Sequence, residues 1–140
     1  MICLGIESTA HTLGIGIYDS KTGVKSNIYK TYSKKFGGMK PSDAADHHSQ
    51  EFESILKEAL DKAKINLKDI DLVSFSQGPG LAPCLRFGRS LAVYISSKLN
   101  VPLIPVHHSV AHIEIGNFFS FLEDPLVIYV SGGNTQLLIK

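Results

Sequence analysis

Ile2-Cys3-Leu4-Gly5-Ile6-Glu7-Ser8-Thr9-Ala10-His11-Thr12-Leu13-Gly14-Ile15-Gly16-Ile17-Tyr18 decides the fold. Residues 2–6 are a short apolar run that reads as a buried strand. In residues 13–18, Ile15 and Ile17 alternate with glycine, the period-two pattern of a hairpin partner. The connection between them is rich in hydroxyls and small side chains. That composition suits hydrogen bonding to a phosphate or ribose, but an ordinary polar hairpin loop is the favoured reading. Residues 19–23 turn the chain into a third strand, 24–32, so an antiparallel three-stranded meander is expected.

Further along, the period changes. Ala44, Ala45, His48, Phe52, Ile55, Leu56, Ala59, Leu60 and Ala63 recur at helical spacing, which predicts an amphipathic helix capped by Ser42 or Asp43 and running to about Lys64. His48 follows the apolar stripe and reads as a packed histidine, while Asp46 and His47 face a cleft or water. Residues 70–76 read as a fourth strand, broken by Gln77-Gly78-Pro79-Gly80, and 81–99 as a second helix. A glycine turn at a helix start can approach an anion closely, although the spacing is not that of a phosphate-binding loop. Arg86 and Arg89 near this start serve phosphate or pair with carboxylates, and Cys84 reads as a small buried filler.

Residues 101–106 form the fifth strand. Val110, Ile113, Phe118 and Phe121 mark a third helix, and 126–130 and 135–139 flank a turn at 131–134. The order is β-β-β-α-β-α-β-α followed by a hairpin that repeats the opening pattern of strand, small polar loop, strand. This implies an internally duplicated α/β architecture, with residues 1–124 as an amino-terminal lobe. Residues 125–140 are the start of a second, missing lobe.

Composition bounds the function. The 140 residues are 44% apolar, enough for one substantial core, and 14 basic against 13 acidic residues leave a formal charge of +1. No overall field selects nucleic acid or membrane, so any basic patch is local. Ser33-Lys34-Lys35-Phe36-Gly37-Gly38-Met39-Lys40-Pro41 is one: Lys34, Lys35 and Lys40 can neutralise RNA phosphates while Phe36 stacks, or the loop is merely solvated. Two cysteines, no basic leader and no bilayer-length apolar run predict a cytoplasmic protein with no membrane association.

The chemistry gathers at Val106-His107-His108-Ser109-Val110-Ala111-His112 and Tyr129-Val130-Ser131-Gly132-Gly133-Asn134-Thr135-Gln136. On a helix, His108 and His112 project from one face with Cβ atoms about 5–6 Å apart, so both imidazoles reach one metal ion. The pair follows the carboxyl end of a strand, where open α/β sheets bind ligands.

Five motifs in order, Gly5 to Thr12, Ala44 to His48, Ser76 to Leu81, His108 to His112 and Tyr129 to Gln136, closely resemble the archaeal and eukaryotic catalytic subunit of the KEOPS complex. That family was formerly described as O-sialoglycoprotein endopeptidases. The resemblance spans essentially the whole chain and implies an actin-like ATPase, ribonuclease-H-like two-lobed fold. It also implies transfer of a threonylcarbamoyl group from threonylcarbamoyl adenylate to the exocyclic amine of the adenosine beside the anticodon in tRNA, with release of AMP. By resemblance, His108, His112 and Tyr129 are metal ligands, with a further aspartate from the missing lobe. The metal is one divalent or ferric ion per subunit, iron or zinc. Tyr129, Val130, Ser131, Gly132, Gly133 and Asn134 line the phosphates of ATP or the adenylate. His11 stands where bacterial relatives carry an acidic residue suspected as a general base, and with Glu7 it is the candidate for catalytic proton handling or substrate positioning. The implied partners are tRNA, a small dimerising subunit on the outer faces of the first two helices, and a kinase-like subunit on the missing lobe.

The sequence departs from that pattern in places. His107 stands where asparagine is common, yet only His108 has a histidine four residues on. Ser8, Ala82 and Cys84 replace glycine, glycine and serine. A metallopeptidase is the first alternative, but Ser109 occupies the position where a zincin carries its glutamate. A non-catalytic dimerising paralogue would not require His108 and His112. A sugar kinase or chaperone ATPase of the same fold would show an Asp-x-Gly first loop, where Glu7-Ser8-Thr9 stands.

Overall fold

Alternation along the first strands sends Leu4, Ile6, Leu13 and Ile15 to one side of a sheet, where they are buried. The computed structural model describes residues 1–34, 36–120, 125–131 and 134–138. Strands β1 (Ile2–Glu7), β2 (Thr12–Asp19) and β3 (Gly23–Thr31) pair antiparallel as the expected meander. Strands β4 (Leu72–Gly78) and β5 (Leu103–His107) then add parallel to β1, giving the order β3-β2-β1-β4-β5.

Helices α1 (Pro41–Ala63) and α2 (Ala82–Leu99) cover the apolar face. Ile55, Ala59, Leu91, Ala92 and Ile95 close the core over Leu4, Ile6, Leu13, Ile15, Ile17, Val73 and Phe75. Each of the leucine, isoleucine and valine side chains stabilises the fold by about 1.5–3 kcal/mol on burial. The opposite face is paved with small residues, and Gly5, Gly16 and Ser74 lie there beneath α3 (His108–Ser120). Strands β6 (Val127–Ser131) and β7 (Asn134–Leu138) pair antiparallel as a sheet of their own.

Several boundaries move. Lys40, not Ser42 or Asp43, is the N-cap of α1, and it makes no side-chain capping bond. Pro41 takes the first helical position, where its fixed φ fits and its missing N–H costs nothing. Asp43 instead lies in the first turn, where the helix dipole favours a carboxylate. Lys64 and Asn100 terminate α1 and α2 in the left-handed conformation. A 3₁₀ turn at Leu67–Asp69, stapled by reciprocal bonds between Asn66 and Asp69, precedes β4 and carries no apolar periodicity that would announce it.

α3 begins at His108 itself. It has no fully buried residue, and Val110, Ile115, Phe118 and Phe119 are exposed. Its described hold on the sheet includes the edge contact of Phe118 with Tyr18, ring centroids 6.1 Å apart.

Candidate functional site

Because β1, β4 and β5 run parallel, their carboxyl ends lie along one side of the sheet. Glu7 at the end of β1, Ser76 near the end of β4 and His108 after β5 meet there. A register shift between Ser76 and Gly78 marks the same end of β4, a position where irregular pairing commonly re-aims side chains beside a site.

Glu7 is the hub. Its Oε1 accepts the Thr9 backbone N–H at 2.7 Å and the Thr9 hydroxyl, while Oε2 accepts the Ser76 hydroxyl and His108 Nδ1, the latter at 3.2 Å. Burial pushes this carboxyl group up, but the hydrogen bonds from Ser76 and Thr9 and the attraction of His108 outweigh it and hold Glu7 below its ordinary value.

With Nδ1–H donated to Glu7, His108 presents Nε2. That atom lies 3.2 Å from His112 Nε2, and the two rings meet edge to face with centroids 4.5 Å apart. The Tyr129 ring is 6.5 Å from that of His112. A cavity of about 330 Å³ opens between α3 and β6, lined by His108, His112, Ile113 and Tyr129 among others. Two converging imidazole nitrogens, one anchored through its far nitrogen by a carboxylate, fit a metal ion of the kind that takes nitrogen and oxygen donors. Among the described residues no three histidine, cysteine, aspartate or glutamate side chains form a group that could hold a metal ion, so the pair offers only two of the donors such an ion would need. His107, the rival ligand by sequence, ends β5 exposed.

Of the two readings of the β1–β2 loop, the ordinary polar connection fits the structure. Ser8 and Thr9 are buried, and their hydroxyls are spent on the Cys84 carbonyl at 3.2 Å and on Glu7. The glycine turn before α2 is likewise filled by protein rather than left open for an anion. The Leu81 N–H donates to the Thr9 carbonyl at 2.7 Å, and Gly80 abuts Thr9 so closely that any Cβ would collide with it. Sequence reasoning missed this docking because nothing local pairs residue 9 with residue 81.

His48 is buried as expected, with Nε2 2.9 Å from the Ala10 carbonyl. His11 stands exposed at the end of the same loop. Cys84 is buried, and burial raises its thiol, which agrees with a filler role. Arg86 and Arg89 line a separate depression of about 520 Å³ with Gln77 and Val93, away from the histidine pair. Lys34 approaches Asp43 at 4.0 Å, while Phe36 and Lys40 are exposed. Lys35, Gly132 and Gly133 lie outside the described residues, as do the side chains of Ser131 and Asn134.

Burial depresses the His48 imidazole below its ordinary value of 6.5, and neighbouring His47 and His11 add to this; the bond to Ala10 and the charge of Glu7 oppose it. The unfolded chain therefore takes up the proton first. This group's contribution to stability is complete above pH 6.5 and falls as pH drops below it, with a slope of at most about 1.4 kcal/mol per pH unit. In urea unfolding between pH 7.5 and 5.5, His48→Gln is expected to flatten the stability curve. A slope equal to wild type would count against this assignment.

A family model described as TsaD, tRNA N6-adenosine threonylcarbamoyltransferase, matches residues 23–140. The chain is 48% identical over 134 residues to the tRNA N6-adenosine threonylcarbamoyltransferase of Thermofilum pendens, covering 96% of this chain and 40% of that protein. It is 52% identical over 138 residues to the protein of the same name from Nanoarchaeum equitans, covering 99% and 43%. It thus spans about two fifths of the length of these curated relatives. Among solved structures it resembles YeaZ from Pseudomonas aeruginosa with a TM-score of 0.68 at 12% identity, covering 99% of this chain and 64% of that one. That likeness speaks for the fold alone: a ribonuclease-H-like α/β lobe.

Proposed function

The chain belongs to the tRNA N6-adenosine threonylcarbamoyltransferase family, and from that premise we propose that the full-length protein transfers a threonylcarbamoyl group from threonylcarbamoyl adenylate to N6 of the adenosine next to the anticodon. The acceptors are tRNAs reading codons that begin with A. The observation that carries this is the His108–His112 pair, buttressed by Glu7 where the parallel strands end.

The reaction joins the amine nitrogen to the carbamoyl carbon and breaks the bond from that carbon to the phosphate oxygen, so AMP leaves and the amine sheds a proton. A poor nucleophile needs positioning, a proton acceptor and neutralisation of the leaving phosphate. An iron or zinc ion held by His108, His112 and Tyr129, with a further ligand from the rest of the protein, supplies that neutralisation when bound. The segment from Tyr129 to Asn134 is proposed to face the phosphates of ATP or the adenylate. His11 is proposed as the proton acceptor. Glu7 serves better as the anchor of His108, because four hydrogen bonds and a depressed pKa make it a weak base.

Lys34, Lys35 and Lys40, with exposed Phe36, form the proposed tRNA contact. The outer faces of α1 and α2, where Val93 and Tyr94 are exposed, are proposed to dock a small dimerising subunit, and the rest of the protein a kinase-like one. No described helix is long and apolar enough to cross a membrane, and the cytoplasm is the proposed compartment.

Incubating the full-length protein and its partner subunits with tRNA and threonylcarbamoyl adenylate is expected to yield threonylcarbamoyladenosine by nucleoside mass spectrometry, with equimolar AMP. No modified nucleoside would refute the reading. Replacing Lys34 and Lys40 with alanine is expected to reduce the slope of log affinity for tRNA against log salt by up to about 2. An unchanged slope means that the loop is only solvated.

A further inference from the structure

We infer that His48 is a positioning residue for the proposed transfer: by holding the Ala10 carbonyl it sets the loop that carries His11 against the ends of β1 and β4. The inference rests on the transferase reading above.

The loop is gripped at three successive carbonyls. Thr9 O accepts the Leu81 N–H at 2.7 Å, Ala10 O accepts His48 Nε2–H at 2.9 Å, and His11 O accepts the Tyr32 N–H at 2.8 Å. Two of these donors are backbone amides, which any residue except proline would supply at those positions. The middle one is a side chain from a different element, so it alone depends on residue type.

The imidazole is itself locked. Its ring packs against Phe87 of α2, centroids 6.2 Å apart, and Phe87 packs against Phe52 of α1. His47 flanks it at 5.8 Å. Both helices of the core layer therefore fix the direction of the bond.

A histidine carries a cost here. The site lies on the apolar stripe of α1 and is fully buried, and Nδ1 has no hydrogen-bond partner among the described residues. A leucine would bury no unpaired nitrogen, but it would leave the Ala10 carbonyl without its donor. The imidazole is accounted for by the one bond it makes, to the residue immediately before His11.

The test uses the full-length protein with its partner subunits. His48→Leu is expected to lower kcat by roughly 10- to 100-fold, the usual cost of small misplacements at a reacting centre, with KM for tRNA and adenylate and the metal content unchanged. His48→Gln, whose amide donates from a similar place, should restore most of the rate. In a double-mutant cycle with His11→Ala, the two losses should fail to multiply. A wild-type kcat in His48→Leu, or losses that multiply, overturns the inference and leaves the transferase reading intact. Should His48→Leu not fold, His48→Asn, which falls short of Ala10, enters the same cycle under the same criteria. Absence of transfer by the wild type defeats the transferase reading, and the inference with it.

Discussion

Replacing both His108 and His112 with alanine in the full-length protein is expected to abolish stoichiometric metal binding and to slow threonylcarbamoyl transfer by about 10³-fold or more. The size follows from the ion's role. Charge neutralisation at a leaving phosphate contributes several kcal/mol to the transition state, and each 1.4 kcal/mol or so is a factor of ten in rate. The two Nε2 atoms lie 3.2 Å apart, close enough for both to face one ion. Glu7→Gln should weaken metal binding by about 10- to 100-fold, because it removes the charge that orients His108 while keeping the shape. Metal analysis and single-turnover rates decide the matter, with tRNA affinity as the control. Unchanged metal content and rate in the double variant would eliminate these histidines as ligands.

The second large effect is structural. Gly80→Ala is expected to destabilise the protein by about 3 kcal/mol, read as a lower urea midpoint at unchanged m. A Cβ at residue 80 would lie 2.3 Å from the Thr9 carbonyl oxygen, 2.8 Å from Thr9 Cβ and 2.9 Å from the Thr9 carbonyl carbon. Two of these are backbone atoms that cannot swing aside, so the loop must retreat and the bond from Leu81 to Thr9 is lost. Gly88→Ala should cost less. Its Cβ meets the Ser8 hydroxyl at 1.9 Å and Ser8 Cβ at 3.0 Å, and a hydroxyl can rotate. If Gly80→Ala unfolds within about 0.5 kcal/mol of wild type, ordinary surface tolerance, the loop is not pressed against α2 as described.

What could be read from residues alone follows the reach of the interaction. The meander was legible because Leu13, Ile15 and Ile17 alternate with glycine, and α1 because its apolar residues recur at 3.6. The histidine pair was legible because i and i+4 are neighbours on any helix. The link from Glu7 to His108 was not. Those residues are 101 apart in sequence, and only the parallel pairing of β1, β4 and β5 brings them together. The hydroxyls of Ser8 and Thr9 left two readings open for a related reason: composition reports that a loop can bind phosphate, whereas the docking of α2 decides where its donors point. Pro41 displaced the expected cap because a fixed φ prevailed over a side-chain oxygen one residue later.

α3 carries both histidines yet buries none of its residues fully. Helices with so few buried contacts open locally far below the free energy of global unfolding. The Glu7 loop is pinned from α1 and from the start of α2, so α3 is expected to exchange its amide hydrogens sooner than that loop, with the 3.2 Å contact from His108 to Glu7 as the link between them.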